Sequence, residues 1–328
     1  YISLLYSTSW PEILSYNIGY IGIIGFFFVS LVSIFTSFFF AHNYIHNIAI
    51  HSIGIIAFVI SINQSKKFLE LKYFWLLIFF LWLGIYVFKN HDDFPYYHLT
   101  YALNLSENSF IIGTGNFSHG FRTFSSLFFF HSTLYMPFID FYLFHSGPFY
   151  ILLFFNFIII SDLINNYKKE KFNFVYFFSI LSFIFINVAF YRVAEHGTDR
   201  SAQILLILIF IFFFNIMQSK DNDNKILKNL SMLLILVFLA SSMKAIYYLY
   251  IILIPLIFLK KKLIRNFLVK KNFLLISFIL FSLFLNLTVN YFNTGCLLYP
   301  AEKTCIFKQE WSINKEEVKV MSLHYEWW

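Results

Sequence analysis

The sequence predicts an all-α, polytopic transmembrane helix bundle of about nine spans, and three observations predict it. Of the 328 residues, 59% are hydrophobic and only 12% charged, with a mean hydropathy of +0.69. The apolar residues fall in long runs, most of them near the roughly 20 residues that an α-helix needs to cross a ~30 Å hydrocarbon core. Lys and Arg cluster in the short stretches between those runs, as they do in the cytoplasmic loops of membrane proteins. A soluble domain with so little polar surface would aggregate. The net charge of +7 forms no continuous basic face, which argues against a nucleic-acid partner. The 48 Phe and 22 Tyr read as the lipid-facing filler of an AT-rich genome and carry little functional weight. A single transmembrane domain over 1–328 is expected. The chain opens at Tyr1 rather than Met and stops at Trp327-Trp328, which reads as a piece of a longer protein. The first apolar run is too long for the core of a cleavable signal peptide.

In chain order, spans are expected at 18–40, 47–61, 73–88, 148–164, 172–190, 202–216, 232–242, 246–259 and 273–289. The second, sixth, seventh and eighth are short, and the seventh and eighth can equally form a broken helical pair. Four basic clusters set the orientation: Lys66, Lys67 and Lys72; Lys168, Lys169 and Lys171; Lys220, Lys225 and Lys228; and the run at 260–271. With these in the cytoplasm, the first large loop at 89–146, the loop at 191–201, the turn at 242–245 and the tail at 291–328 fall on the outer side. That alternation requires the apolar stretch 127–144 not to cross. It contains His131, Pro137 and Asp140, and is expected to form a re-entrant or surface helix.

The outer loops hold the residues with chemistry. Beyond the third span comes His91-Asp92-Asp93-Phe94-Pro95-Tyr96-Tyr97-His98. Carboxylates at a helix C-terminus face the negative end of its dipole and need compensation. Two readings fit: a polar juxtamembrane cap with an aromatic belt, or a catalytic or metal site in which one Asp is a general base. Further on, Arg122 lies close to Gly120 and His119, a pattern that suits a phosphate ligand, while the neighbouring Gly and Asn residues read as ordinary turn chemistry. The second outer loop packs Arg192, Glu195, His196, Asp199 and Arg200 between two apolar runs. Surface ion pairs contribute little, so this density points to a site. Lys244 can join an anion site or simply snorkel to the interface. The only cysteines, Cys296 and Cys305, would close a small disulfide loop if this face is the bacterial periplasm. No Walker A loop, dinucleotide fingerprint, HExxH or GxSxG is present.

On Asp92-Asp93 in a long first outer loop, Glu195-His196-Gly197-Thr198-Asp199 in a later one, and Gly295-Cys296-Leu297-Leu298-Tyr299-Pro300 after a late span, the chain resembles the GT-C superfamily of membrane glycosyltransferases, in particular its bacterial polytopic members of uncharacterised function. The resemblance implies transfer of a sugar from a polyprenyl-phosphate donor to a glycan, lipid or protein acceptor at the periplasmic face of the bacterial inner membrane, with Asp92 or Asp93 as catalytic base. His91, His98, His119, Arg122, Arg192, Glu195, His196, Asp199, Arg200 and Lys244 are the expected substrate and phosphate contacts. A divalent cation would sit on Asp92 and Asp93, though no ligand spacing compels one and no other cofactor is expected. The chain lacks the long soluble C-terminal domain of better-known members. Two rivals stand beside this reading. A transporter or flippase of lipid-linked saccharides would call for ionisable groups within the spans, where Asp162 is the main example. A non-catalytic scaffold would leave the clustered acids and histidines unexplained. Catalysis requires the acidic pair and the second loop to meet in one cavity.

Overall fold

The computed structural model describes residues 17–65, 68–86, 92–193, 197–219, 223–261 and 273–326. Among these the chain is helical, with two isolated bridges and no longer strand pairing. We number the helices α1 (Ile18–Ser37), α2 (Tyr44–Ser65), α3 (Phe68–Trp82), α4 (Leu99–Glu107), α5 (Ser126–Ser132), α6 (Ser146–Lys168), α7 (Phe174–Ala189), α8 (Gly197–Gln218), α9 (Asp223–Met243), α10 (Leu253–Lys261), α11 (Phe273–Thr294) and α12 (Lys315–Glu326). A helix covers each of the nine stretches expected to span. Five of these, in α1, α6, α8, α9 and α11, are long and apolar enough to cross a bilayer, and they make the chain an integral membrane protein. Tyr44–Ile60, Phe174–Ala189 and Ala245–Leu259 are shorter apolar helices, and α3 has 15 residues. The seventh and eighth stretches are separate pieces: α9 ends at Met243, Lys244 is extended, and the chain resumes as a 3-10 helix, Ala245–Ile252.

Buried apolar residues of α1, α5, α6, α8 and α9 form one continuous core, with α1 against α6, α6 against α8, and α8 against α9. Between lipid-embedded helices apolar burial supplies little drive, so close packing and hydrogen bonds hold them together. Gly19 and Gly22 let α1 approach α6: a Cβ on Gly22 would lie 2.2 Å from the Phe154 ring, and one on Gly19 3.0 Å from the Phe154 carbonyl oxygen. A reciprocal amide pair, Asn156 with Asn187 at 2.7 and 3.1 Å, ties α6 to α7. Large apolar side chains of α2, α3, α7 and α11 face outward, as lipid contact requires.

The stretch 127–144 does not form a crossing helix. α5 has seven residues, about 10 Å of helix, and the chain then runs through turns to Ser146. Irregular backbone next to a bilayer survives only when protein satisfies its polar groups, and α2 does so here. The Asn47 amide donates to the carbonyls of His42, Ser132 and Tyr135 at 2.7–2.9 Å. His51 Nε2 lies 2.8 Å from the Thr133 carbonyl, and His42 Nδ1 lies 2.6 Å from Ser132 Oγ.

At one end of the bundle α1, α3 and α6 meet: Glu70 accepts the first backbone N–H of α1, and the Tyr20 hydroxyl donates to Asp162 at 2.8 Å. At the other end the loops expected on the outer side gather. Phe110 N–H donates to the Ser37 carbonyl, and the Thr114 hydroxyl to Asn293. Ser126 Oγ lies 2.7 Å from Ser242 Oγ. The tail closes over this end, with Cys296 and Cys305 joined in a disulfide.

Candidate functional site

At the loop end a cavity of about 260 Å³ is lined by four separate pieces of chain. The first carries Asp93, Tyr96, Tyr97 and His98, on and just before Phe94–His98. That segment is one turn of π-helix, closed by the Leu99 N–H on the Phe94 carbonyl, with Pro95 in its first turn. Such turns are rare and concentrate at functional sites. The second runs from His119 and Gly120 through Thr123, Phe124 and Ser125 to Phe128 on α5; the third is Thr198 and Asp199 at the start of α8; the fourth is Met243 and Lys244 after α9.

Asp93 accepts a 3.2 Å hydrogen bond from the Tyr97 hydroxyl. The Tyr97 ring is wedged over Gly120, whose Cα sits so close that an added Cβ would lie 2.3–2.4 Å from two ring atoms. Tyr97 also meets His98 and Phe128 edge to face, at 4.5 and 5.9 Å. In the same lining, Lys244 Nζ pairs with the Asp199 carboxylate at 2.5 Å. Each charge suits its own helix: Asp199 lies in the first turn of α8 and Lys244 just past the last turn of α9, where the dipoles favour an anion and a cation respectively. The pair is partly solvated, with side chains 49% and 33% exposed, so an incoming anion can compete for the ammonium.

His119 is held below its ordinary pKa by partial burial first, then by Arg122 and His324. Beneath the cavity His131 is buried, and its two ring nitrogens have no hydrogen-bond partner among the described residues. Burial keeps its pKa well below the usual value, and His98 and His145 push the same way. Both effects favour the neutral forms of His119 and His131.

The cavity thus brings together five of the residues expected from the sequence: Asp93, His98, His119, Asp199 and Lys244. Asp92 is exposed and does not line it. Three cations lie elsewhere. Arg122 donates through Nε to the Gly115 carbonyl and pairs through its guanidinium with Glu317 of α12. Arg192 lies over Tyr191 and donates to its hydroxyl at 2.8 Å. Arg200 lies over the Phe190 ring. His91, Glu195 and His196 lie outside the described residues. No group of three or more metal-ligating side chains comes together among the described residues. Tyr96, Tyr97, Thr123, Ser125 and Thr198 join the lining without having been singled out. Tyr96 and Tyr97 read as an interfacial belt in the sequence, and only the i to i+4 relation of Asp93 to Tyr97 hinted at a pair.

One family model matches the chain over residues 6–328, described as a domain of unknown function, DUF8201. The chain belongs to this family. No curated protein and no solved structure matches this DUF8201 member.

Proposed function

We propose that the chain is a membrane glycosyltransferase of GT-C type, with about nine spans, that moves a sugar from a polyprenyl-phosphate donor to an acceptor hydroxyl at the outer, periplasmic face of a bacterial inner membrane. The observation that carries this reading is one cavity lined both by a carboxylate, Asp93, and by a lysine, Lys244, contributed by a distant part of the chain. Inverting transfer needs those two groups. Asp93 takes the proton of the acceptor hydroxyl as its oxygen bonds to the anomeric carbon. The bond from that carbon to the phosphate oxygen breaks, and Lys244 exchanges Asp199 for the departing phosphate, whose charge it stabilises together with the α8 N-terminus. Tyr97 orients the base. A lipid-linked donor suits the setting, since its tail stays in the bilayer while the phosphate reaches a cavity at the helix ends.

The test uses the full-length protein in proteoliposomes, a panel of radiolabelled polyprenyl-phosphate sugars, and the variants Asp93→Asn and Asp92→Asn. Turnover is expected with at least one donor, and Asp93→Asn should abolish it while Asp92→Asn keeps it. Turnover indifferent to Asp93, or absent with every donor, would favour transport or scaffolding.

A further inference from the structure

We propose that residues 136–142 form a rigid wedge that inserts into the hydrocarbon edge of the lipid bilayer, with Phe138 foremost, and so docks the cavity end of the bundle against the membrane surface. The segment reads Met136-Pro137-Phe138-Ile139-Asp140-Phe141-Tyr142. A loop tip that meets water is normally built from small polar residues. Here Phe138 is 103% exposed and Tyr142 72%, with Ile139 and Phe141 also exposed. Phe141 and Tyr142 stack on each other at 4.8 Å, and among the described residues nothing covers the set.

Nor is the segment slack. Phe138 and Asp140 both have positive φ, 70° and 50°, a conformation that a bulky L-residue takes only when its surroundings enforce it. The enforcing contacts are present. The N–H groups of Ile139 and Asp140 donate to the Met136 carbonyl at 3.2 and 2.8 Å. The Tyr44 hydroxyl donates to the Asp140 carboxylate, the Tyr44 ring stacks on Tyr135 at 4.7 Å, and Asn47 donates to the Tyr135 carbonyl. The protein thus spends strain to hold an aromatic tip away from itself, and the return must come from outside.

The position of the brace identifies the occupant. Tyr44 and Asn47 belong to α2, an apolar helix whose Ile45, Ile48, Ile55 and Phe58 stand outward. Phe39 and Phe40, at the end of α1 beside it, are more than 60% exposed. The tip therefore continues the lipid-facing surface, and Tyr44 and Tyr142 supply the amphipathic rings that favour the headgroup level. The single charge, Asp140, is bonded to Tyr44 rather than presented at the tip. The segment leads back into α5, whose Phe128 lines the cavity, so insertion of the tip sets the height of the cavity above the bilayer.

Site-directed spin labelling of the full-length protein in liposomes tests this, because the two native cysteines are joined to each other and an added one labels alone. Labels at Phe138→Cys and, separately, Phe141→Cys should be more accessible to oxygen than to a water-soluble nickel chelate, matching a label at Ile55→Cys and opposite to one at the exposed Lys319→Cys. Preferential access of the nickel chelate at position 138 would overturn the proposal. So would exclusion of both reagents with spin–spin broadening that grows with protein density, which would mark contact with a second copy. Because the Phe138 side chain is fully exposed among the described residues, its replacement should leave the fold intact; the label at 141 keeps the test decisive if it does not.

Discussion

Two tyrosine–aspartate pairs lie at opposite ends of this bundle, and their difference shows what turns a carboxylate into a site. Tyr97 donates to Asp93 at 3.2 Å, and Tyr20 donates to Asp162 at 2.8 Å. Local bonding makes them alike. Asp93 lines a polar cavity that also holds a lysine, a second carboxylate and two histidines. Asp162 lies within the long helix α6, partnered by a residue of the adjacent α1, where a charged group must be matched from within the protein. The first carboxylate is open to a molecule that enters the cavity; the second fastens two helices together.

The sharpest way to break that comparison is to neutralise both. Removing a general base costs on the order of 10²–10⁴ in rate, so Asp93→Asn should lose at least about 10² in turnover. Asp162→Asn should leave turnover unchanged and alter only thermal stability; equal activity losses in proteoliposomes would erase the distinction. Next comes Gly120→Ala. The new methyl group must push the Tyr97 ring away from Asp93, and small misplacements in a reacting geometry cost up to about 10². We expect a fall in kcat on the order of tenfold, with a melting temperature close to wild type; a large stability loss with normal kcat would make Gly120 a packing residue only.

The histidines provide the third test, through pH. His42 is held at about 3 by burial, with His46 adding to the effect, and His131 lies well below 6.5 for the same first reason. Below pH 6.5, their unfolded value, the unfolded chain binds protons that the folded chain refuses. Stability is therefore complete above that pH and is lost as the pH falls through it, by up to about 1.4 kcal/mol per pH unit for each such histidine. Melting in detergent between pH 7.5 and 5 should show this slope, and His131→Phe should flatten it. The smallest effect separates the two tyrosines. Tyr20→Phe should cost about 1 kcal/mol of stability, the net worth of one hydrogen bond, without changing the pH–rate profile. Tyr97→Phe should lower kcat, by up to about tenfold, because it removes the hydroxyl that orients Asp93.

The helices were legible because their signal is collective: each apolar run, punctuated by basic clusters, marks a segment that a helix covers. That 127–144 forms no crossing helix was legible for a similar reason, since Pro137 and Asp140 interrupt a run that is otherwise apolar enough to cross. The roles of single cations were not. Arg122, Arg192, Arg200 and Lys244 look alike in one dimension, yet only Lys244 reaches the cavity. Arg122 turns toward Glu317, a partner far along the chain that no local spacing announces. The acidic pair divides for a related reason. Asp93 begins the π-turn that carries Tyr97 back to it, while Asp92, one residue earlier, points into solvent.

The anchorage of Arg122 also bears on the order in which the protein is made. The wall that carries His119 and Gly120 is held from behind by late parts of the chain: Arg122 by Glu317, Asn116 by the Trp311 carbonyl, and Gly113 by the Phe292 carbonyl. Every side chain lining the cavity has emerged from the ribosome once Lys244 has, yet one wall lacks these three contacts until α11 and the tail have followed. A nascent chain stalled after α10 would carry all the lining residues and still lack a finished site.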